Sequence, residues 1–323
     1  MPSGVKLSVI IPTFNRLKIL VRVLTALEQC DQQKGQVEVI VVSDGSTDGT
    51  NAYLQSWSPR YRFQFLVQNH AGAARARNKA VESANGDRIL FLGDDIIPGR
   101  ELLVHHIARS EQYANSEYIG VLGYTSWHRS MKTTPFLHYV NEYGAQFGYS
   151  IIPDPENVPF NFFYTSNVSI SRNLFLKTGG FDEDFRGAAW EDIEFAYRSA
   201  KLGLRIVYDR QATAEHLHPT NVFSFLRRQK IVGEEATIVV EKHPEFHDLL
   251  LISYLTERTS WLFNALRIFR IWCSDFIPHL FSPELCKCIL EDAYFAGVAR
   301  KSKNPRINRK ARHGCVEIDK AAS

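Results

Sequence analysis

The chain has 323 residues, enough for one large α/β domain with an appendage or for two modest domains. With 45% hydrophobic and 12% aromatic residues it can bury a sizeable core, which excludes a disordered chain. A net charge of only +3 argues against a nucleic-acid binder held by bulk electrostatics.

Strand-like runs alternate with helical patterns through the first half. Leu7–Ile11 reads as a strand, and Leu17–Cys30 as a helix with apolar positions Leu17, Leu20, Val23, Leu24 and Leu27. Val37–Val42 is a second buried strand, followed by a short helix over Asp48–Trp57 with Ser46 or Thr47 as its cap. Phe63–Gln68, the Ala-rich Ala71–Ala84 and Ile89–Leu92 continue the alternation. Apolar strands separated by helices predict a mostly parallel sheet covered on both faces. Ligands of such sheets bind beyond the carboxyl ends of the strands, and Pro12–Arg16, Ser43–Asp48 and Gly93–Asp95 fall there. A helix near Glu101–Tyr113 and a strand near Tyr118–Gly123 follow, then Tyr124–Phe160, too long and irregular for an ordinary connection. Tyr164–Ser171, the helices Arg172–Thr178 and Glu191–Lys201, a strand at Leu204–Tyr208 and the His-bearing Ala214–Pro219 close a domain over residues 1–220. Residues 221–300 read as an amphipathic helical appendage, and 301–323 as a flexible basic tail.

The five cysteines (Cys30, Cys273, Cys286, Cys288, Cys315) are odd in number and lack CxxC pairs, so a disulfide framework or zinc ribbon is not expected. Met1–Lys6 leads straight into a strand without a signal peptide's apolar stretch, and no segment offers about 18 uninterrupted apolar residues. The expectation is a cytoplasmic protein, with peripheral attachment to the inner face of the membrane left open.

The most informative stretch is Ile89–Pro98, a buried strand running into Asp94-Asp95. Adjacent carboxylates at a strand end repel, and settle only when a cation or hydrogen-bond donors share the site. Oxygen-rich divalent sites take Mg²⁺ or Mn²⁺, usually completed by phosphate oxygens and water. An Asp-rich surface turn is the plainer alternative. The Pro12-Thr13 turn offers N–H and hydroxyl groups to a base or ribose, or is simply a strand-to-helix turn with Thr13 or Asn15 as cap. Asp44 can accept from a nucleobase or ribose, or belong to a capping loop, with Gly45 permitting the tight turn. On the small-residue helix Ala71–Ala80, Arg77 can reach phosphate, while Arg75 and Lys79 read as a solvated face. Trp190-Glu-Asp-Ile-Glu194 opens a helix with three acids, which either complement its dipole or include a general base.

Taken together, Ser8-Val-Ile-Ile-Pro-Thr-Phe-Asn15, Ser43-Asp-Gly-Ser-Thr-Asp48, Ala76-Arg-Asn78, Phe91-Leu-Gly-Asp-Asp95 and Trp190-Glu-Asp-Ile-Glu194 resemble the inverting, nucleotide-sugar-dependent glycosyltransferases of family 2 over roughly Leu7–Thr220. The resemblance implies an α/β GT-A fold, Rossmann-like, with a mostly parallel sheet flanked by helices and an α-helical C-terminal appendage. It implies that Pro12, Thr13 and Asp44 form the nucleoside pocket, that Arg77 supports it or the diphosphate, and that Asp94 lies near ribose or metal. Asp95 would bind Mg²⁺ or Mn²⁺, completed by His216 in preference to His218. Asp192 matches the base position, with Glu191 as a second acceptor-side candidate able to raise its pKa. Gly93 departs from the Asp-x-Asp pattern of many relatives, which leaves open how Asp94 and Asp95 divide their work.

The implied function is a single in-line transfer of sugar from a UDP-, GDP- or dTDP-linked donor to a hydroxyl of a glycan or lipid-linked acceptor, in glycan or glycolipid synthesis. Two alternatives stand beside it: a non-catalytic nucleotide-sugar-binding protein of the same fold, and a nucleotidyltransferase. Sugar-stacking candidates in the irregular segment are Tyr139, Tyr143, Phe147, Tyr149, Phe160 and Phe162, or they are core. Apolar residues Trp261, Leu262, Leu266, Ile268, Phe269, Ile271 and Trp272, with Arg267, Arg270 and the tail, predict contact with a membrane surface, internal packing or a homodimer.

Overall fold

In the computed structural model of the protein the described residues are 4–31, 35–113, 115–187, 189–246 and 261–301, without the side chains of 261–264. The basic tail, Cys315 included, lies outside them apart from Lys301. The chain forms two compact units, Met1–Met131 with Tyr149–His218, and Lys132–Gly148 with Pro219–Ser323.

The first unit is built on eight strands: β1 (Leu7–Thr13), β2 (Val37–Asp44), β3 (Arg62–Gln68), β4 (Arg88–Leu92), β5 (Ile96–Pro98), β6 (Ile119–Trp127), β7 (Asn167–Ser171) and β8 (Arg205–His216). They lie in the order β3-β2-β1-β4-β7-β6-β8-β5. β3, β2, β1 and β4 run parallel, with Ile10 opposite Ile40 and Phe91. The connections are α1 (Leu17–Gln29), α2 (Thr50–Ser56) and α3 (Ala73–Glu82). On one face Leu7, Val9, Ile11, Val39 and Val41 pack with Leu20, Val23, Leu24 and Leu27 of α1 and with Leu102 and Leu103 of α4 (Leu102–Glu111). The alternate positions Ile10, Ile40 and Val42 are buried too, so both faces of the sheet are covered.

β7 enters between β4 and β6 antiparallel to both, so the sheet is mixed in its second half. β7 reads Asn-Val-Ser-Ile-Ser, polar and apolar in alternation, and such a pattern marks a strand without writing its direction, which is set by the neighbours it pairs with. Ile96–Pro98 forms a short edge strand: it pairs antiparallel with β8, with Pro98 at its end, where a missing N–H is tolerated. β8 extends well past Tyr208 and carries His216 as its last residue. The irregular segment holds the end of β6 and, in the second unit, the helix α5 (Pro135–Glu142). Helix α6 (Arg172–Thr178) and helix α7 (Glu191–Lys201) have the extents read from the sequence.

Helix α8 (Val222–Lys242) starts in the second unit with a capping box: the Asn221 side chain accepts from the N–H groups of Phe223 and Ser224, and Ser224 Oγ accepts from Asn221 N–H. Helices α9 (Trp261–Ser274) and α10 (Pro283–Lys301) follow. Ile271 of α9 is buried, while Leu266, Phe269, Trp272 and the following Phe276 and Ile277 are exposed. The side chains of Trp261 and Leu262 lie outside the described residues. α8 and α10 cross at two reciprocal glycines: a methyl on Gly233 would overlap the carbonyl oxygen of Tyr294, and one on Gly297 that of Lys230. Gly→Ala in a free helix gains roughly 0.5–1 kcal/mol, whereas overpacking costs about 1–3 kcal/mol. Gly233→Ala is therefore expected to lower the thermal midpoint of the second unit. A rise in calorimetry would show that the helices are not in backbone contact there.

Candidate active site

The turn after β1 and the loop after β2 are laced together at the carboxyl end of the sheet. Asn15 sits in the left-handed region (φ 53°), which Asn tolerates better than most residues. Its Oδ1 accepts from Thr47 N–H at 2.7 Å, and its own N–H donates to Ser46 Oγ at 3.0 Å. Asp48 accepts from the N–H of Leu17 at 2.9 Å and from Thr50 Oγ1 at 2.6 Å, so one acid outside α1 satisfies the start of that helix. At α2 neither Ser46 nor Thr47 is the cap: the N-cap position is Gly49, and Asp48 Oδ1 accepts from Thr50 N–H at 3.2 Å. Pro12 ends this framework beside Thr13, in register with Val42 of β2.

Asp44 is buried, and its carboxylate is filled by protein donors. Gln68 Nε2 (2.7 Å) and Ala71 N–H (2.8 Å) reach Oδ1, while Gly72 N–H (2.9 Å) and His70 Nδ1 (3.0 Å) approach Oδ2. It ties the loop before α3 to the end of β2. Gly45 (φ 78°) has to be glycine, since a Cβ would stand 2.8 Å from His70 N. Phe14 stacks on the His70 ring at 4.1 Å, leaving both rings partly exposed above this loop. Gln68 and His70 carry no motif signal in sequence. Their role follows from the β2–β3 register, which sets Asp44 opposite Gln68.

Asp94 and Asp95 follow β4 and are both buried. Thr13 Oγ1 donates to Asp94 at 2.8 Å, and Arg16 reaches across both acids, 3.3 Å from Asp94 Oδ1 and in close contact with Asp95 Oδ2. Burial and the neighbouring Asp95 charge raise the pKa of Asp94, against the pull of Arg16 and Thr13. Burial also acts to raise that of Asp95, but its hydrogen bonds to His216 and His218, and the charges of His216 and Arg16, hold it well below the usual carboxylate range. Arg16 is itself held more firmly protonated, its burial outweighed by the two acids. The sequence places Arg16 in the Pro12–Arg16 cluster at a strand end, one residue before α1, and gives it no role of its own.

His216 Nε2 lies 3.3 Å and His218 Nδ1 3.2 Å from Asp95 Oδ2. Leu217 N–H donates to the Asp95 carbonyl at 2.8 Å, which locks β8's end to the acid pair. Both histidines thus reach Asp95, not His216 alone. His216 stacks on Trp127 (5.2 Å, 11° between planes), its partner in the β6–β8 register. A register shift at Gly123/Tyr124 sets that pairing, and Asn167 fills it by donating to the carbonyls of Ala212 and Tyr124. One ligand atom each from Asp95, His216 and His218 lies within 4.8 Å of the others. A carboxylate and two imidazoles around one point fit a first-row divalent ion. A side chain at Gly93 would stand 3.0 Å from Asp95 Oδ1 and 2.8 Å from Ile96 Cγ1, so the Gly-Asp-Asp pattern has a steric reason.

Trp190, in the left-handed region at φ 71°, turns the chain into α7. Glu191 is buried and accepts from Arg77 at 2.9 Å; Arg77, also buried, lies 5.5 Å from the Phe181 ring. The adjacent Asp192 is only half-buried and accepts from Ile193 N–H. Its pKa is pushed up to about 7, by burial first and then by the Glu191 charge, with Arg77 pulling the other way. Of the aromatic candidates, Tyr149 is buried among Tyr124, Tyr164 and Tyr208, and Phe147 and Phe162 are buried as well; Tyr143 is exposed.

The sequence profile of the family described as "Glycosyl transferase family 2" matches residues 8–176, just over half of the chain. The chain belongs to that family. It is 31% identical to validoxylamine A glucosyltransferase of Streptomyces hygroscopicus subsp. jinggangensis over 248 residues, 68% of this chain and 58% of that one. It is 26% identical to chondroitin synthase of Pasteurella multocida over 77% of this chain and 28% of the synthase, so it spans little over half of the former relative and much less of the latter. Among solved structures it resembles the mannosyltransferase PcManGT of Pyrobaculum calidifontis in complex with GDP-Man and Mn²⁺, with a TM-score of 0.62 at 17% identity, covering 93% of this chain and 89% of that one. It also resembles TarS 1–349 of S. aureus in complex with UDP-GlcNAc, with a TM-score of 0.54 at 18% identity over 96% and 92% of the two chains. The fold is GT-A, with helices following it at the C-terminus.

Asp44→Asn replaces one acceptor oxygen with a donor where N–H groups already converge, and leaving a buried group unpaired costs about 1–3 kcal/mol. Denaturant unfolding is expected to show a stability loss of that order. An unchanged midpoint would mean that the loop does not depend on the carboxylate.

Proposed function

We propose that this family 2 protein is an inverting glycosyltransferase that moves a sugar from a nucleoside diphosphate sugar to an acceptor hydroxyl. The observation that carries the reading is the convergence of Asp95, His216 and His218 beyond the carboxyl ends of the strands, where sheets of this kind bind their ligands, in a fold shared with proteins complexed with GDP-Man and Mn²⁺ or with UDP-GlcNAc. Pro12 and Thr13 line the nucleoside pocket, Asp44 shapes its wall through the donors from Gln68, His70, Ala71 and Gly72 that it holds, and Asp94 lies between Thr13 and Arg16 towards the ribose. Asp95, His216 and His218 would hold a divalent cation, which when bound screens the charge on the diphosphate. The two imidazoles favour Mn²⁺ over Mg²⁺, which prefers oxygen ligands.

Asp192 is the base. Its carboxylate takes the proton of the acceptor hydroxyl as that oxygen bonds to the anomeric carbon, and the carbon–oxygen bond to the diphosphate breaks with its electron pair leaving on phosphate. A single displacement inverts the anomeric centre. Glu191, buried against Arg77, acts on Asp192 rather than on the acceptor, and a base with a pKa near working pH is suited to proton transfer. The acceptor is a glycan or lipid-linked saccharide.

Asp192→Asn is expected to abolish transfer while leaving donor affinity within a factor of two. Asp95→Asn should lose the Mn²⁺-dependent affinity for UDP or GDP in calorimetry. Because Asp192 must be ionised, the transfer rate should rise with pH through about 7, the value to which burial and Glu191 bring it. At one unit below, roughly a tenth of the plateau rate is expected. Retained turnover in Asp192→Asn, or a flat profile from pH 6 to 8, would remove Asp192 from the mechanism.

The exposed strip Leu266, Phe269, Trp272, Phe276 and Ile277 is rimmed by Arg267, Arg270 and Lys132, whose ammonium lies 5.5 Å from the Phe276 ring. Among the described residues no helix is long and apolar enough to cross a membrane. Aromatic side chains with a cationic rim suit the interface of an anionic bilayer, and on this reading the strip rests on the membrane that carries a lipid-linked acceptor. The full chain should sediment with phosphatidylglycerol-containing vesicles and not with phosphatidylcholine vesicles, and Phe269→Asp should remain in the supernatant with both. Equal recovery of the wild type with both vesicle types, or a dimer in ultracentrifugation that Phe269→Asp dissociates, would assign the strip to another partner.

A further inference from the structure

The geometry points to Arg16 as a counter-charge that occupies the acid pair when no cation is bound and must leave before a divalent ion can enter. The inference rests on the metal reading above and goes beyond it, because it concerns the order in which metal and nucleotide bind.

Three observations support it. First, Arg16 engages both acids at once: it lies 3.3 Å from Asp94 Oδ1 and contacts the same Asp95 oxygen that faces His216 and His218. The guanidinium therefore uses a lone pair that the proposed metal set needs. Second, two adjacent buried carboxylates without a counter-charge are costly, so a protein that binds its cation reversibly needs another charge in the interval. Third, the backbone and the side chain of Arg16 are held differently. The chain is fixed by the bond from Leu17 N–H to Asp48 and by the Arg16 carbonyl, which accepts from Ile19 and Leu20 N–H. The side chain is 36% exposed, against 11% and 12% for the two acids, so it lies over them from the solvent side. It can swing away without moving α1.

Displacing Arg16 leaves an arginine with no carboxylate, and a bound diphosphate offers the planar, bidentate partner that a guanidinium takes well. A divalent ion arriving alone must break the Arg16 contacts with nothing in return. One arriving with a nucleoside diphosphate gives the guanidinium a new partner. Metal and nucleotide then bind with positive coupling, and linkage makes that coupling reciprocal.

The test is calorimetric titration of Mn²⁺ into wild type, Arg16→Ala and Arg16→Lys, each alone and with saturating UDP or GDP. Thermal melts check that each variant is folded. In wild type, Mn²⁺ alone should bind at least tenfold more weakly than with nucleotide. In Arg16→Ala, Mn²⁺ alone should bind at least tenfold more tightly than in wild type, and the gain from nucleotide should shrink. Arg16→Lys, which keeps the charge without the fork, should fall between them, and it carries the comparison if the alanine variant does not fold. If both proteins bind Mn²⁺ with nucleotide but Mn²⁺ alone binds equally well with and without Arg16, the exclusion is wrong and the metal site stands. If wild type binds Mn²⁺ with neither nucleotide, the metal reading itself fails, and the role of Arg16 falls with it.

Discussion

Two neighbouring carboxylates at the end of a buried strand set the terms for the rest of the first unit. Asp94 and Asp95 cannot both stay ionised in a dry setting without donors or positive charge close by, and an unpartnered buried ion costs several kcal/mol. Their partners come from three places in the chain. Thr13 and Arg16 arrive from the end of β1 and the start of α1, and His216 and His218 from the end of β8. Each partner fixes an element. The carbonyl of Asp95 accepts from Leu217 between the two histidines, so the acid also holds the strand that presents them.

The same economy governs the start of α7, where adjacent acids receive opposite environments. Glu191 is drawn inward by Arg77 and spent on that pair, while Asp192 stays half-buried beside it and feels its charge. Neighbouring carboxylates whose surroundings push their proton affinities apart divide labour in this way. Arg77 is thereby a strut between α3 and α7. The small residues around it make this possible: Ala74, Ala76 and Ala80 are buried, and bulkier neighbours would keep α3 away from the sheet.

Most of the architecture was legible because strand and helix periods are local. β1, β2 and α1 are found within a residue or two of where alternation and apolar spacing put them. What escaped depends on distant residues. The direction of β7 is set by its neighbours β4 and β6, and Asn167 serves His106, Tyr124 and Ala212 at once, which no window of sequence contains. Trp127 sits in a stretch without a readable period, and only the register shift after Gly123 puts its ring against His216. The acids of the site were visible because paired carboxylates are costly and therefore conspicuous. Their neutralising partner, Arg16, was not, because an arginine at a helix start has no pattern that separates it from a solvated one.

Gly93 shows how far local chemistry can be taken. An acid at this position, as in an Asp-x-Asp pattern, would extend the carboxylate pair to three, yet a Cβ here already meets Ile96 and an Asp95 oxygen. Ile96 belongs to β5, whose register opposite His216 is what brings the histidines to Asp95. Making room for a third acid would therefore displace the edge strand β5, which pairs with the end of β8 at His216. In this chain the surroundings of Asp95 are settled by packing: the imidazoles and the glycine are two consequences of one short edge strand lying tightly against β8.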